Sequence, residues 1–363
     1  LLGRTKKNMK ILGIETSCDE TACSVVENGT RVLAESVTSS QKMHAATGGI
    51  IPENAAREQI KAILPVISGC ADTEFLKEEI DAIAVTIGPG LIGSLLVGVE
   101  TAKVLSYIYN KPIIPVNHLI GHIYSNFILE EYQNGRIIAY KNNPPSFPIV
   151  AMIVSGGHTE LTYMPGHASL KKSTIQVLGS TRDDAAGEAF DKTARILGLP
   201  YPGGVSISKA SFKFRRNNPG VDYKLFPRPM INESNYDFSF SGLKTAVLNE
   251  IKKSKISLSN AIVGRLAAEI EEAITDVLIK KALTAIEEFK PKSFLLSGGV
   301  SANLRLREKF GENFEKHALW TALHVPVPKF CTDNASFIAA AAYYNRTYVD
   351  WRNVKALPQL GIE

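Results

Sequence analysis

Short apolar runs alternate along this chain with stretches whose apolar residues recur every three or four positions. Lys10–Ile14, Ala22–Glu27 and Arg31–Thr38 read as three successive strands, the last two joined by an Asn28-Gly29 turn. Glu53–Ile67 has helical spacing, Ile80–Ile87 is a β-branched buried strand, Gly93–Tyr109 a helix, Pro112–Val116 a short strand and His118–Glu130 a helix. Glu131–Pro148 is polar, contains Asn142-Asn143-Pro144-Pro145, and reads as a linker or surface loop. The pattern then restarts with strands at Ile149–Val154 and Thr159–Met164 and a helix at Asp184–Leu197. Ser206–Ser241 shows little periodicity and reads as irregular surface. Leu258–Phe289 is helical with a break expected near Lys280-Lys281. Strand Ser293–Ser297, a short helix from Ser301, strand His324–Val327 and an Ala-rich helix Asn334–Tyr344 close the chain. Strands alternating with helices in this way predict an α/β fold.

Three strand ends echo one another. Ile11–Ser17, Ile153–Thr159 and Leu295–Ser301 each run from apolar residues into small and hydroxylated ones, and two of them carry Ser-Gly-Gly. Small residues there let backbone N–H groups approach a phosphate or nucleoside closely. Any tight turn also needs glycine, but three such turns in one α/β chain favour nucleotide binding.

The 363 residues suggest two domains, and 45% apolar with 21% charged residues excludes general disorder. A net charge of +5 permits a polyanionic partner without demanding one. The four cysteines, Cys18, Cys23, Cys70 and Cys331, form no C-x-x-C, so free thiols in a reducing compartment are expected. Ala82–Val99 is uncharged over nearly a membrane-spanning length, but Gly88-Pro89-Gly90 interrupts it. It reads as strand, turn and buried helix, with no membrane association. The basic start, LLGRTKKNMK, has no apolar core behind it and does not read as a signal peptide; Met9 could be the natural start.

His118 and His122 stand four apart on one helix face, close enough to share a metal. Two imidazoles need a third ligand from elsewhere; the plainer alternative is two helix histidines. Leu119 stands where the zincin motif places its catalytic Glu, which argues against a metallopeptidase. Taken singly, Asp333 reads as an N-cap, Asp191 as a helix-surface partner of Arg195, Asn303 as a first-turn residue, and Asp19-Glu20 as turn chemistry.

Together these residues closely resemble the tRNA threonylcarbamoyladenosine transferase family of bacterial and organellar type, formerly called O-sialoglycoprotein endopeptidases. The resemblance runs from about Lys10 to Tyr344 through Gly13-Ile14-Glu15-Thr16-Ser17-Cys18-Asp19-Glu20-Thr21, Gly48-Gly49-Ile50-Ile51-Pro52-Glu53, Asn117-His118 with Gly121-His122, Ser155-Gly156-Gly157-His158-Thr159, Asp183 to Lys192, Tyr201-Pro202-Gly203-Gly204, Phe240 to Thr245, Ser297 to Asn303 and Thr332-Asp333-Asn334. Ser180-Thr181-Arg182 and Val205, where the family usually has Pro, depart from its usual wording.

The resemblance implies a two-lobed actin-like ATPase fold (actin, Hsp70, sugar kinase) with a ligand cleft between lobes. The lobes would span residues 9–133 and 134–330, with 331–363 a terminal helix returning to the first. It implies His118, His122 and Asp333 as ligands of one divalent metal, Fe2+ or Zn2+. Ile153, Val154, Ser155, Gly156, Gly157, Asp191, Gly204 and Asn303 match positions that hold the nucleotide-like donor. Asp19, Glu20 and His158 match polar residues near the reacting carbonyl. The implied reaction moves a threonylcarbamoyl group from threonylcarbamoyl-AMP to N6 of adenosine 37 in the anticodon loop of tRNAs reading ANN codons, releasing AMP. The implied partners are tRNA, a paralogous inactive protein and a small ATPase, or a second copy in a homodimer, in the cytoplasm. A metallopeptidase and an inactive nucleotide-binding scaffold are the alternatives; the intact His118, His122 and Asp333 set argues against the scaffold. Lys209–Arg216 and Lys252–Lys255 are candidate RNA-contacting stretches, with a solvated face as the plainer reading.

Overall fold

The computed structural model describes residues 8–41, 43, 51–133, 136–140, 143–167, 175–253, 259–317 and 320–362. Part of the Gly48–Glu53 motif, part of Lys252–Lys255 and residues 1–7 of the basic start lie outside them. The chain divides into two units. One comprises Leu1–Pro145, Gly166–Ile175 and Thr332–Glu363, the other Ser146–Pro165 and Gln176–Cys331.

The first unit carries a seven-stranded mixed sheet. Its strands are β1 (Lys10–Glu15), β2 (Glu20–Glu27), β3 (Arg31–Ser39), β4 (Ala82–Gly88), β5 (Ile113–Asn117), β6 (Glu130–Gln133) and β7 (Arg136–Tyr140). They are ordered β5-β4-β1-β2-β3-β6-β7. β1, β2 and β3 form an antiparallel meander, and β4 and β5 run parallel to β1. The helices are α1 (Pro52–Cys70), α2 (Thr73–Glu78), α3 (Ile92–Tyr109) and α4 (His118–Tyr124), with a terminal helix Ala335–Asn345. Alternation along β1 decides what packs where. Leu12 and Ile14 share a core with Ile63 and Val66 of α1 and Val99 and Ala102 of α3. Gly13 faces the terminal helix: a Cβ there would lie 2.3 Å from the Ala335 carbonyl oxygen. α3 is long and apolar enough to cross a membrane by length and composition alone. Its Leu95, Val99, Ala102 and Leu105 are buried in this unit.

The second unit repeats the plan. β8 (Ile149–Val154), β9 (Thr159–Met164), β10 (Gln176–Ser180), β11 (Ser293–Ser297) and β12 (Ala322–His324) are ordered β10-β9-β8-β11-β12. This is again an antiparallel meander followed by two strands parallel to its first. The echo between Ile11–Ser17 and Ile153–Thr159 thus has a structural counterpart. Each is the end of the first strand and its turn toward the second. The helices are α5 (Ala186–Ile196), α6 (Gly203–Asn217), α7 (Ser241–Lys253), α8 (Asn260–Phe289) and α9 (Leu304–His317).

Several sequence expectations are corrected. Glu131–Pro148 is not simply a loop: β6 and β7 pair antiparallel at the edge of the first sheet, and of the described residues after Tyr140, 143–148 lie in no strand. The helix expected over His118–Glu130 ends at Tyr124, followed by a 3-10 turn, Ser125–Phe127. Ser206–Ser241 begins inside α6, whose buried face is Gly203, Ile207 and Ser211; small and polar residues there hide the apolar period. The helix from Ser301 starts at Leu304, after a 3-10 turn over Gly299–Ala302, and runs to His317. α8 does not break at Lys280-Lys281. Lys281 is buried and donates from Nζ to the Glu233 carbonyl at 3.1 Å and to that of Asn235. Lysine's ammonium is thereby satisfied inside the fold, and the helix continues through it.

Candidate active site

In the first unit, Asn117 ends β5 and caps α4: its Oδ1 accepts from the N–H groups of Leu119 and Ile120 at 2.8 and 3.3 Å. That cap starts the helix at His118 and sets both histidines on one face. Their rings lie 4.7 Å apart and both are buried. Asp333 arrives from the other end of the sequence. N-capping of the terminal helix falls to its neighbour Asn334, whose Oδ1 accepts from Phe337 N at 3.1 Å. Asp333 Oδ1 stands 3.2 Å from His122 Nε2 and 3.5 Å from His118 Nε2. Two glycines permit this approach: Gly13, and Gly121, where a Cβ would lie 2.6 Å from Phe337 Cδ2.

One ligand atom from each of His118, His122 and Asp333 lies within 4.8 Å of the others, and the same holds for Asp19, Glu20 and Asp333. Two imidazoles and a carboxylate suit a borderline divalent ion such as Zn2+ or Fe2+. An orphaned group tests that fit. His122 Nε2 is buried without a hydrogen bond, although Asp333 faces it, and an ion in that position would satisfy it. The acid excess agrees. Burial, a hydrogen bond that the protonated Glu20 carboxyl donates to Asp19 and the charge of Asp333 push the Glu20 carboxyl up to about 10, so the cluster holds more negative charge than it can carry without a cation or a proton.

Sequence reasoning missed the group that orients His118. Glu15, at the end of β1 and fully buried, places Oε2 3.0 Å from His118 Nδ1 and accepts the Thr86 hydroxyl at 2.6 Å. Burial opposes charge on His118, but Glu15 and Asp333 outweigh it and raise its pKa to about 9. Burial lowers that of His122. Gln59 of α1 was also missed. Its Nε2 donates to the carbonyls of Cys18 and Glu20 at 3.0 and 2.9 Å, fixing the turn that carries Asp19. Glu15 lies inside the Gly13–Thr21 motif but nothing there marks its role, and Gln59 lies in no quoted motif; the three-dimensional pairing reveals both. Leu119, in the place of a zincin's Glu, is buried and offers no base, so a metallopeptidase reading is not favoured.

In the second unit, β8 and β11 run parallel in register, Ile153 against Ser297, so both Ser-Gly-Gly turns leave the same edge of the sheet. Ile153 and Val154 are buried in β8, and the turn beyond folds back through Ser155 N–H to the His158 carbonyl (2.8 Å) and His158 N–H to Ser155 Oγ (3.1 Å). A Cβ at Gly156 or Gly157 would meet nothing within 4 Å. Packing therefore does not require glycine at either position. Gly298 differs: its φ is +86°, and a Cβ would lie 2.4 Å from the Val154 carbonyl. Asp191 of α5 accepts from Gly203 N–H at 2.7 Å, at the start of α6, and Gly204 follows. Asn303 caps α9 by accepting from Leu306 N–H at 2.9 Å and donates to Glu271 at 2.6 Å. Asp191 and Asn303 thus have structural duties as well. Val205 is exposed in the first turn of α6.

Residues 31–340 match the family described as tRNA N6-adenosine threonylcarbamoyltransferase. A protein of that name from Staphylococcus aureus (strain JH9) is 42% identical over 339 residues, 93% of this chain and 92% of that one. Another, from Desulfitobacterium hafniense (strain Y51), is 44% identical over 361 residues, 98% of each. Among solved structures, full-length HypF in its phosphate- and nucleotide-bound form superposes with a TM-score of 0.55 at 12% identity, over 93% of this chain and 56% of that one. The Acidaminococcus fermentans (R)-2-hydroxyglutaryl-CoA dehydratase component A gives 0.50 at 15% identity, over 92% and 98%. These structures bear on the fold alone, which is of the actin-like ATPase type.

Proposed function

The chain belongs to the tRNA N6-adenosine threonylcarbamoyltransferase family, and from that premise we propose that it transfers the threonylcarbamoyl group of threonylcarbamoyl-AMP to N6 of adenosine 37 in tRNAs reading ANN codons. The products are t6A and AMP. The observation that carries the reading is the convergence of His118, His122 and Asp333 from distant parts of the sequence.

The donor is a mixed carbamic–phosphoric anhydride. The acceptor N6 is a poor nucleophile because its lone pair is delocalised into the purine ring. A bond forms between N6 and the carbamoyl carbon, the bond from that carbon to the phosphate oxygen breaks, and N6 loses a proton. His118, His122 and Asp333 would hold Fe2+ or Zn2+, which when bound would supply Lewis acidity toward donor oxygens. Glu15 fixes the ring of His118 through Nδ1, which leaves Nε2 as the nitrogen that would serve as a ligand. At the Ser155 turn the N–H groups of Ser155 and His158 are already committed. Those of Gly156 and Gly157, which take no backbone acceptor among the described residues, are the donors for the departing phosphate. Asp191, Gly204 and Asn303 hold the nucleotide part with Ile153 and Val154. Asp19 takes the proton from N6, with Glu20 and His158 as polar neighbours of the carbonyl. Adenosine 37 lies in an anticodon loop, where a base can leave its stack without melting a duplex.

We assign the partners by family: a paralogous inactive protein and a small ATPase, or a second copy, in the cytoplasm. Exposed Ile60 and Leu64 on α1 and Tyr107 and Ile108 on α3 support a protein partner on the first unit. The test is transfer of labelled threonine from the donor to unmodified tRNA, with and without these partners. Label appearing at adenosine 37 supports the reading. Label absent under every combination, with donor intact, overturns it.

A further inference from the structure

α6 has two opposed faces. Inward, Gly203, Ile207 and Ser211 are buried, and Arg215 is committed to acids of α8, 2.8 Å from Glu271 and 3.2 Å from Glu272. Outward, Lys209, Lys213 and Arg216 are exposed, and Phe212 stands among them 55% exposed. Their spacing puts the four on one side of the helix. No residue of Gly203–Asn217 is acidic, and among the described residues these three cations form no ion pair. A solvated helix face would ordinarily interleave both signs of charge. This one carries a single sign and an exposed phenyl ring. The same helix begins at Gly203-Gly204, where Asp191 anchors it.

We propose that the outward face of α6 is an RNA-docking surface, with Lys209, Lys213 and Arg216 on phosphates and Phe212 stacking on an unpaired base. The inference rests on the function proposed above and names where its tRNA substrate lies. Phosphate neutralisation needs cations not spent on protein carboxylates, and Lys209, Lys213 and Arg216 meet that condition where Arg215 does not. Stacking needs an exposed aromatic within reach of the same backbone, which Phe212 supplies.

The test measures binding of unmodified tRNA by fluorescence anisotropy over a range of salt concentrations. The triple variant Lys209→Gln, Lys213→Gln, Arg216→Gln is compared with a charge-matched control, Lys61→Gln, Lys77→Gln, Lys224→Gln, whose side chains are also exposed but pair with Glu58, Glu78 and Asp222. The α6 variant is expected to bind at least about tenfold more weakly, with the slope of log affinity against log salt shallower by about two to three. Phe212→Ala is expected to weaken binding about fivefold or more at unchanged slope. KM for tRNA should rise with kcat at saturating tRNA nearly unchanged. Equal losses in both triple variants, unaltered tRNA binding by the α6 variant, or wild-type binding to phosphatidylserine vesicles without binding to tRNA overturns the proposal. If the wild-type chain makes t6A while the α6 variant binds and modifies tRNA normally, only this surface is wrong. If the wild-type chain with its partners makes no t6A, the function itself falls.

Discussion

Glu15 Oε2 lies 3.0 Å from His118 Nδ1, joining the end of the first strand to the start of α4 inside a fully buried environment. A carboxylate in that position fixes which imidazole nitrogen is left for a ligand and raises its basicity. Glu15→Gln keeps the shape and removes the charge. Metal affinity, measured by competition with a chelator, should fall about 10- to 100-fold with little change in secondary structure.

Removing the metal with a chelator should abolish transfer, and restoring Fe2+ or Zn2+ separately should identify the ion by which one returns activity. His122→Ala should bind neither with useful affinity. Metal content by mass spectrometry, read beside the transfer rate, checks both statements; full transfer by a metal-free chain would remove the ion from the reaction.

Gly13→Ala adds a methyl group 2.3 Å from the Ala335 carbonyl oxygen. The terminal helix must move, and Asp333 with it. Overpacking of this kind costs about 1–3 kcal/mol. Thermal unfolding should shift downward, and metal affinity should fall with it, although residue 13 touches no ligand.

Gly156→Val offers the opposite case. A Cβ there has open space, so stability should change by no more than about 0.5 kcal/mol. KM for the donor adenylate should nonetheless rise, because the side chain occupies space proposed for phosphate. A donor KM equal to wild type would mean that this turn does not contact the donor.

Asp183 gives a pH prediction away from the metal cluster. It accepts from Ser239 Oγ, Ser241 Oγ and Phe240 N–H at 2.6, 2.7 and 2.8 Å, and also from Ser241 N–H. Slight burial pushes its pKa up, but these bonds outweigh that and bring it to about 2. The folded pKa lies below the unfolded one, so the stabilisation is fully present above about pH 4 and lost as pH falls through about 2. Asp183→Asn should lower stability at neutral pH and narrow its difference from wild type in that acid window, as followed by acid unfolding.

β1 to β5, β8, β9 and β11 were legible because buried apolar, β-branched runs have few other uses, and His118 and His122 because helical spacing alone sets them on one face; β10 was not read, and β12 lies at Ala322–His324 where His324–Val327 was expected. Asp333 was legible only by resemblance: alone it looked like a helix cap, a duty that Asn334 performs. Glu15 stood inside a quoted motif with no role assigned to it, since a single acid at a strand end has no period to say what it pairs with. α6 was missed because the face it buries is made of glycine and serine around one isoleucine. β6 was hidden by its polar sequence, Glu130-Glu131-Tyr132-Gln133, and β7, Arg136-Ile137-Ile138-Ala139-Tyr140, was read with it as part of one polar loop.

Asp333, the proposed third ligand beside His118 and His122, is encoded after the whole of the second unit, which ends at Cys331. During synthesis the imidazoles therefore leave the ribosome long before their acid does, and a shortened chain lacking Thr332 onward presents an incomplete nest. An ion that needs all three side chains could therefore be held only after the segment from Thr332 onward has been made and has folded back onto the first unit.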